Sequence, residues 1–166
     1  MKRFARTIIF SGCIFFIDAF LYGQGGLAFI TALVVVFVLF PGILIALLKK
    51  NKELFRDRMI RAGIYSVMVA MVFLSVWLNN KHASYRAEEL IQYCDKYKSK
   101  YEQYPNTLED LVPEFIPKVP RAKFSLIYGN FIYISRENSH LLVYFAMPPF
   151  GRRIYSFESR RWGYLD

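Results

Sequence analysis

Leu27–Leu48 is a run of 22 residues without a charged side chain. As a helix it would rise about 33 Å, and the hydrocarbon core of a bilayer is about 30 Å thick. A small soluble domain has no interior long enough to cover such a segment, so the run predicts a membrane-spanning helix. Pro41-Gly42 lies inside the run and predicts a kink there.

Two shorter apolar runs flank this one. Thr7–Tyr22 follows three basic residues, and Ala62–Leu78 has 17 residues without a charge. A basic start followed by an apolar stretch also describes a cleaved signal peptide, but no small-x-small cleavage pattern follows here, so we expect a retained helix. The predicted transmembrane region covers residues 1–78, with about three spans near 7–22, 27–48 and 62–78.

The positive charges of this region predict its orientation. Residues 1–78 carry nine Lys/Arg against three acids, and the segment 49–61 alone holds six Lys/Arg. Because cytoplasmic loops carry the excess of Lys/Arg, the amino terminus and a basic loop at 49–61 are predicted to be cytoplasmic and residues 79–166 to lie outside. In a bacterium this is a multi-pass inner-membrane protein with a periplasmic carboxyl-terminal domain. The basic loop is either an orientation determinant alone or also a site for anionic lipid head groups.

Asp18 is the only residue with a charged side chain inside the three apolar runs. An acid within a membrane segment is by default a candidate functional residue. The apolar runs offer it no Lys, Arg or His as a partner for a proton or ion path. The alternative is that Asp18 reaches the nearby interface at the outer end of its span.

From Asn79 the sequence takes the period of an amphipathic helix. No breaker separates this segment from the third span, so the two are predicted to form one long helix. Tyr104-Pro105 ends it, because a residue before proline avoids the helical conformation. Its predicted apolar face, which should bury against a sheet, consists of Ala83, Ala87, Leu90, Ile91, Cys94, Tyr97, Tyr101 and Tyr104.

The part of the sequence that follows the long helix predicts short turns and strands. Asn106 or Thr107 is expected to cap a short helical turn, and Gly129-Asn130 is a hairpin signal. A polar turn at 137–139, Pro148-Pro149 and a turn at 158–160 separate the later strands. The predicted strands are Phe124–Tyr128, Phe131–Ser135, Leu141–Ala146, Arg153–Phe157 and Arg161–Tyr164. Residues 79–166 therefore form an α+β domain, in which a long amphipathic helix packs on an antiparallel sheet of four or five strands.

The segment Tyr104–Pro117 reads YPNTLEDLVPEFIP. This segment lies between a predicted membrane-anchored amphipathic helix and a predicted small antiparallel sheet. Its sequence resembles the same region of pilins and type II secretion pseudopilins. The chain lacks that family's leader, and Met68 stands where the family has its glutamate, five residues after Gly63. The resemblance implies a pilin-like head on a fixed membrane base.

No pattern in the sequence indicates catalysis. Cys13 and Cys94 lie far apart and in no redox or metal spacing, and neither His82 nor His140 belongs to a ligand motif. The acidic pairs are adjacent in sequence, a spacing that does not bring two carboxylates together on a helix. We therefore predict a non-enzymatic protein without cofactor, metal, small-molecule substrate or nucleic-acid partner.

Basic and aromatic residues concentrate near the end of the chain. Trp, Tyr and Arg are the residue types that anchor protein interfaces. The patch is either a binding surface for another protein or an ordinary sheet face lying against lipid head groups. Its members are Arg152, Arg153, Tyr155, Arg160, Arg161 and Trp162.

These features predict a membrane protein whose outward domain binds a protein partner. The resemblance to pilins suggests an accessory component of a secretion or type IV pilus system. The alternative is an immunity protein that neutralises a toxin acting at the inner membrane or in the periplasm. A gene neighbourhood with filament components would favour the first, and one with a toxin the second. A membrane-anchored enzyme would need catalytic residues that the sequence does not display.

Overall fold

The computed structural model describes residues 2–137, 139–147 and 151–165. The chain divides into two compact units, of which unit 1 ends at Val76 and unit 2 begins at Trp77. In the described residues, three helices are long and apolar enough to cross a membrane, and the later part of the third packs against a four-stranded antiparallel sheet. The predicted fold class is therefore confirmed.

The three helices are α1 (Ala5–Tyr22), α2 (Gly26–Leu48) and α3 (Lys52–Tyr101). The predicted basic loop at 49–61 is wrong in its extent, because α3 already begins at Lys52. The side chain of Asn51 accepts a hydrogen bond from the backbone N–H of Leu54 at 3.0 Å, which caps the start of α3. Glu53 lies in the first turn, where the helix dipole favours an acid.

Helix α2 is irregular at its centre. Val35–Leu39 forms a π-helical segment that ends two residues before Pro41. Proline has no N–H to donate to the carbonyl of Phe37 and its ring crowds that carbonyl, so a wider turn relieves the clash. The predicted effect of Pro41-Gly42 thus takes the form of a widened turn.

Unit 1 is tied together at the ends of its helices. The Arg3 guanidinium lies 2.8 Å from a carboxylate oxygen of Glu53 and also forms an ion pair with Asp57. Arg58 donates a hydrogen bond to the carbonyl of Gly42. These contacts place the amino terminus beside the start of α3.

Unit 2 is built on the later part of α3. A short 3-10 turn, Leu108–Leu111, follows with Thr107 as its cap, and the carboxylate of Asp110 accepts hydrogen bonds from the backbone N–H groups of Asn106 and Thr107. The strands are β1 (Ile132–Arg136), β2 (Ser139–Met147), β3 (Gly151–Ser156) and β4 (Arg161–Leu165), in the order β1-β2-β3-β4.

The predicted apolar face of α3 is largely buried. Ala83, Ala87, Leu90 and Cys94 are fully buried in one core with residues of the sheet. Tyr101 departs from the prediction, with 43% of its surface exposed. It is the last residue of the helix, where its ring packs on Tyr97 and its hydroxyl donates to Glu114.

The predicted strand Phe124–Tyr128 and the hairpin at Gly129-Asn130 are wrong. Residues 124–128 form a loop, and β1 begins at Ile132. The loop closes on itself, since the N–H of Lys123 donates to the carbonyl of Gly129 at 3.0 Å. Of the predicted turns, Asn138 and Pro148-Pro149 lie outside the described residues.

Candidate functional site

The strand register of unit 2 gives its sheet two faces of different composition. Side chains alternate between the faces, and Leu142, Tyr144 and Tyr155 point toward the core. On the other face, Val143 is paired with Ile132 of β1 and Ile154 of β3. We call this side the outer sheet face; its apolar residues are Ile132, Ile134, Leu141, Val143, Phe145, Ile154 and Leu165.

The outer sheet face is more apolar than the free face of an antiparallel sheet usually is. Such a face is typically polar, because the core lies on the opposite side. Here Ile132 and Leu165 at the two edges are exposed at 41% and 48%, while Val143 at the centre is only 4% exposed. The ring of Tyr128 packs on Phe145, with ring centres 4.4 Å apart, so part of the face is covered. Exposed apolar residues at the edges of a sheet face make that face a candidate interaction surface.

The edge of this face is basic. Arg152 and Arg161 lie on the outer side by register, and the Arg152 guanidinium is 5.5 Å from the ring centre of Phe145. Arg136 ends β1. No Asp or Glu occurs within the described residues of the four strands. The face therefore combines an apolar centre with positive charge and suits a surface of opposite character.

The six residues of the predicted aromatic-basic patch do not form one surface. Arg153, Tyr155 and Trp162 lie on the inner side of the sheet, where the Arg153 guanidinium carbon is 4.7 Å from the Trp162 ring centre. Tyr155 is 9% exposed and belongs to the core. Arg153 also donates to the Ser84 hydroxyl at 3.4 Å, so these three side chains serve packing between helix and sheet.

The other three members of the patch are exposed. Arg152 and Arg161 edge the outer sheet face, and Arg160 lies in the preceding turn with a φ of 53°. Phe150, a neighbour of the patch in sequence, lies outside the described residues. The strand period contained the signal for this division, because adjacent residues such as Arg152 and Arg153 face opposite sides.

Asp18 is 1% exposed and is bonded to the backbone that follows it. Its two carboxylate oxygens accept hydrogen bonds from the N–H of Gly25 at 3.0 Å and the N–H of Ala28 at 2.7 Å. Gly23 and Gly25 have φ values of 63° and 78°, a conformation that glycine adopts freely. Asp18 therefore holds the turn between α1 and α2 and caps α2, a structural role that the sequence did not reveal.

Burial shifts several titratable groups of unit 2. It raises the pKa of the Cys94 thiol and of the Tyr104 hydroxyl to about 12 in each case, and raises that of Tyr133 as well. Burial also lowers the pKa of the Lys123 ammonium to about 8. A thiol with a raised pKa is a poor nucleophile, so Cys94 acts as a core residue.

The part of the chain that the structure describes contains no group of three His, Cys, Asp or Glu side chains that could hold a metal ion. His140 is engaged by Glu158, with 2.8 Å between its Nδ1 atom and a carboxylate oxygen.

Comparison with protein-family models, curated proteins and solved structures finds no match to the chain. The resemblance of Tyr104–Pro117 to pilins and pseudopilins accordingly stays a prediction. Any function must be argued from the surfaces that the structure itself presents.

Proposed function

We propose that this chain is a non-enzymatic integral membrane protein that binds another protein through the outer sheet face of unit 2. The observation that carries the proposal is an apolar sheet face with basic edges and no acidic residue in the described strands. The preferred partner surface is apolar at its centre and acidic around it.

Exposure of unit 1 supports the membrane anchoring. Large apolar side chains such as Ile9, Phe37 and Leu48 are 66%, 72% and 81% exposed, whereas Ser11 and Asp18 are buried. Exposed apolar and buried polar residues are what a bundle needs when its surroundings are lipid.

Contacts within unit 1 also support the predicted orientation. Arg3 binds Glu53 and Asp57, so the basic amino terminus and the basic start of α3 belong to one side of the bundle. By the positive-inside rule this side is cytoplasmic, and unit 2 lies on the other side of the membrane. In a bacterium, unit 2 would occupy the periplasm.

The size of the outer sheet face sets the scale of the interaction. Four strands about 4.8 Å apart and five residues long, at about 3.3 Å each, give a face of roughly 300 Å². A standard interface buries about 800 Å² on each partner. The outer sheet face therefore provides less than half of a standard interface. We expect the residues around it, including the arginines at its edge, to supply the remaining area and the charge selectivity.

The resemblance to pilins supports a partner in a secretion or type IV pilus system, where a membrane-anchored head of this kind would serve as an accessory component. A toxin neutralised by an immunity protein is the competing partner. Both are proteins, so the identity of what contacts the outer sheet face distinguishes them.

Site-specific crosslinking in intact cells tests the proposal. A photoreactive residue in place of Ile132, which is 41% exposed on the outer sheet face, is expected to yield a discrete adduct with one protein. The matched control replaces Tyr85, which is 58% exposed on α3, and is expected to yield none. Adding Arg152→Glu and Arg161→Glu should weaken the adduct at Ile132. Equal adducts at both positions, or none at Ile132, would overturn the proposal.

A further inference from the structure

The loop of residues 121–130 has an inverted pattern of burial. Its polar residues Lys123 and Ser125 are fully buried, while Phe124, Leu126 and Ile127 are 65%, 65% and 54% exposed. In water a loop turns its polar side chains outward and buries its apolar ones. Three outward apolar side chains, interrupted only by Ser125, suit surroundings less polar than water.

The loop is held in this form by several hydrogen bonds. The N–H of Lys123 donates to the carbonyl of Gly129, and the Arg121 guanidinium donates to the carbonyl of Ser125 at 2.7 Å. Arg86 of α3 donates to the carbonyl of Arg121. A Cβ on Gly129 would lie 2.2 Å from the Ser125 carbonyl oxygen, so the close approach requires glycine. The exposed side chains therefore project from a defined frame.

The frame is attached to α3 where the apolar run of the third span ends. The N–H of Phe124 donates to the side chain of Asn79 at 3.2 Å, and its ring stacks on His82 with centres 5.4 Å apart. Asn79 directly follows the apolar run, and His82 lies about 6 Å beyond Leu78 along the helix. The head-group layer on each side of a bilayer is roughly 5–7 Å thick.

The side chains around this attachment are those that favour a membrane interface. Trp77 is 58% exposed at the end of the apolar run, and the Lys81 ammonium lies 5.4 Å from its ring centre. The Arg86 guanidinium lies 5.6 Å from the ring centre of Phe124. Tryptophan concentrates at the head-group level, and Lys and Arg near helix ends reach lipid phosphates.

We propose that the loop of residues 121–130 inserts Phe124, Leu126 and Ile127 into the bilayer at the boundary between head groups and acyl chains. This gives unit 2 a second lipid contact beside the third span. The inference rests on the membrane anchoring of the proposed function, but not on the binding of a protein partner by the outer sheet face.

Spin labelling of the full chain in vesicles of phosphatidylethanolamine and phosphatidylglycerol tests this contact. A nitroxide is placed at position 126 by Leu126→Cys in a Cys13→Ala background; Cys94 stays, because it is fully buried. Val67→Cys, at a side chain 61% exposed in α3, gives the membrane control, and Ser159→Cys in an exposed turn gives the aqueous control. Oxygen, which concentrates in lipid, and a water-soluble nickel chelate are the relaxing agents.

We expect the label at position 126 to lose relaxation by the nickel chelate and to gain relaxation by oxygen relative to position 159. A label at 126 as accessible to nickel as the label at 159 would overturn the insertion while leaving the anchoring intact. Spin–spin broadening at 126 would show that the loop contacts a second copy of the chain, and this result would also overturn the insertion. A nickel-accessible label at Val67 would refute the anchoring itself, and the insertion with it.

Discussion

The two units of this protein reverse each other's distribution of polar and apolar residues. Unit 1 exposes Ile8, Ile9 and Phe10 while burying Thr7 and Ser11. Unit 2 buries Ala87, Leu90 and Ile91 while exposing its charged neighbours Glu88 and Glu89. The exposed apolar side chains of unit 1 suit lipid, whereas the exposed acids of unit 2 suit water.

The forces that stabilise the two units differ accordingly. Unit 2 has a core of aliphatic and aromatic side chains, whose removal from water stabilises it. Among the described residues, unit 1 has a small buried cluster around Ala28 and Val72, and the lipid in which we propose that unit 1 lies offers no hydrophobic driving force between helices. Hydrogen bonds and close packing must therefore carry more of the stability of unit 1.

Removal of the Asp18 carboxylate should have the largest effect. Asp18→Ala leaves the N–H groups of Gly25 and Ala28 buried without their acceptor, at about 1–3 kcal/mol each. We expect unit 1 to lose about 2–6 kcal/mol, measured as a fall in the midpoint of thermal unfolding in nanodiscs.

Two variants serve as controls for this effect. Asp18→Asn keeps one carbonyl oxygen as an acceptor and should fall between wild type and Asp18→Ala. Thr31→Ala removes a hydroxyl that bonds only within α2, to Leu27 at 2.8 Å, and should change little. An unfolding midpoint for Asp18→Ala equal to that of Thr31→Ala would contradict the capping role.

A matched pair of substitutions in α3 compares the two solvents directly. Met71 and Tyr85 are exposed to similar degrees, at 50% and 58%. Met71→Asp places a charge in lipid, at about 3 kcal/mol, and should reduce the amount of chain that resists carbonate extraction. Tyr85→Asp places the same charge in water and should leave that amount unchanged. Equal amounts for both variants would show that residues 62–78 do not lie in a membrane.

The pH dependence of unit 2 should report its buried lysine. The ordinary pKa of lysine is 10.5, and that of Lys123 is about 8 in the folded chain. Between these values the unfolded chain binds more protons, so the free energy of unfolding rises with pH, by about 3 kcal/mol over the whole range. Lys123→Met should abolish this rise.

At higher pH, the thiol of Cys94 opposes the rise in the free energy of unfolding that Lys123 causes. Its pKa rises from 9.0 to about 12 on folding, so the folded chain keeps a proton that the unfolded chain loses. The free energy of unfolding should therefore rise from pH 8 to pH 9 and then level off. The free energy of unfolding is measured by urea denaturation in a Trp77→Phe background, with the fluorescence of Trp162 as the signal. Cys94→Ser should extend the rise toward pH 10. A flat wild-type profile between pH 8 and 9 would argue against the depressed pKa of Lys123.

A smaller effect is expected at the contact between α3 and the sheet. The hydroxyls of Ser84 and Tyr144 are 2.9 Å apart, and Tyr144 is 1% exposed. Ser84→Ala leaves the tyrosine hydroxyl buried with one partner fewer, at about 1 kcal/mol in the same urea assay. Ser99→Ala, where the hydroxyl bonds the carbonyl of Asp95 on the exposed part of the helix, should have no measurable effect.

The sequence predicted the elements whose periodicity is long or repeated. The spans and the buried face of α3 follow from apolar patterns over many residues. The four strands follow from strand alternation near 131–135, 141–146, 153–157 and 161–164. The alternation at Phe124–Tyr128 is similar, yet there the apolar residues point outward. Periodicity shows that two faces differ, but it does not show which solvent each face meets.

The candidate site was harder to predict than the fold. Ile132, Val143 and Ile154 form one face only after the strands are paired, and the register depends on long-range packing. The position of Asp18 as a cap depends on a turn in which Gly23 and Gly25 adopt positive φ. The glycines were visible in the sequence, but the carboxylate's distance to the N–H of Ala28 was not.

Reporter fusions test the central claim, that unit 1 lies in a membrane and carries unit 2 on its outer side. Alkaline phosphatase, which is active only outside the cytoplasm, is fused after Lys50 in one fusion protein and after the last residue of the full chain in another. The account predicts a silent enzyme at Lys50 and an active one at the carboxyl terminus. Activity after Lys50 together with silence at the carboxyl terminus would contradict it.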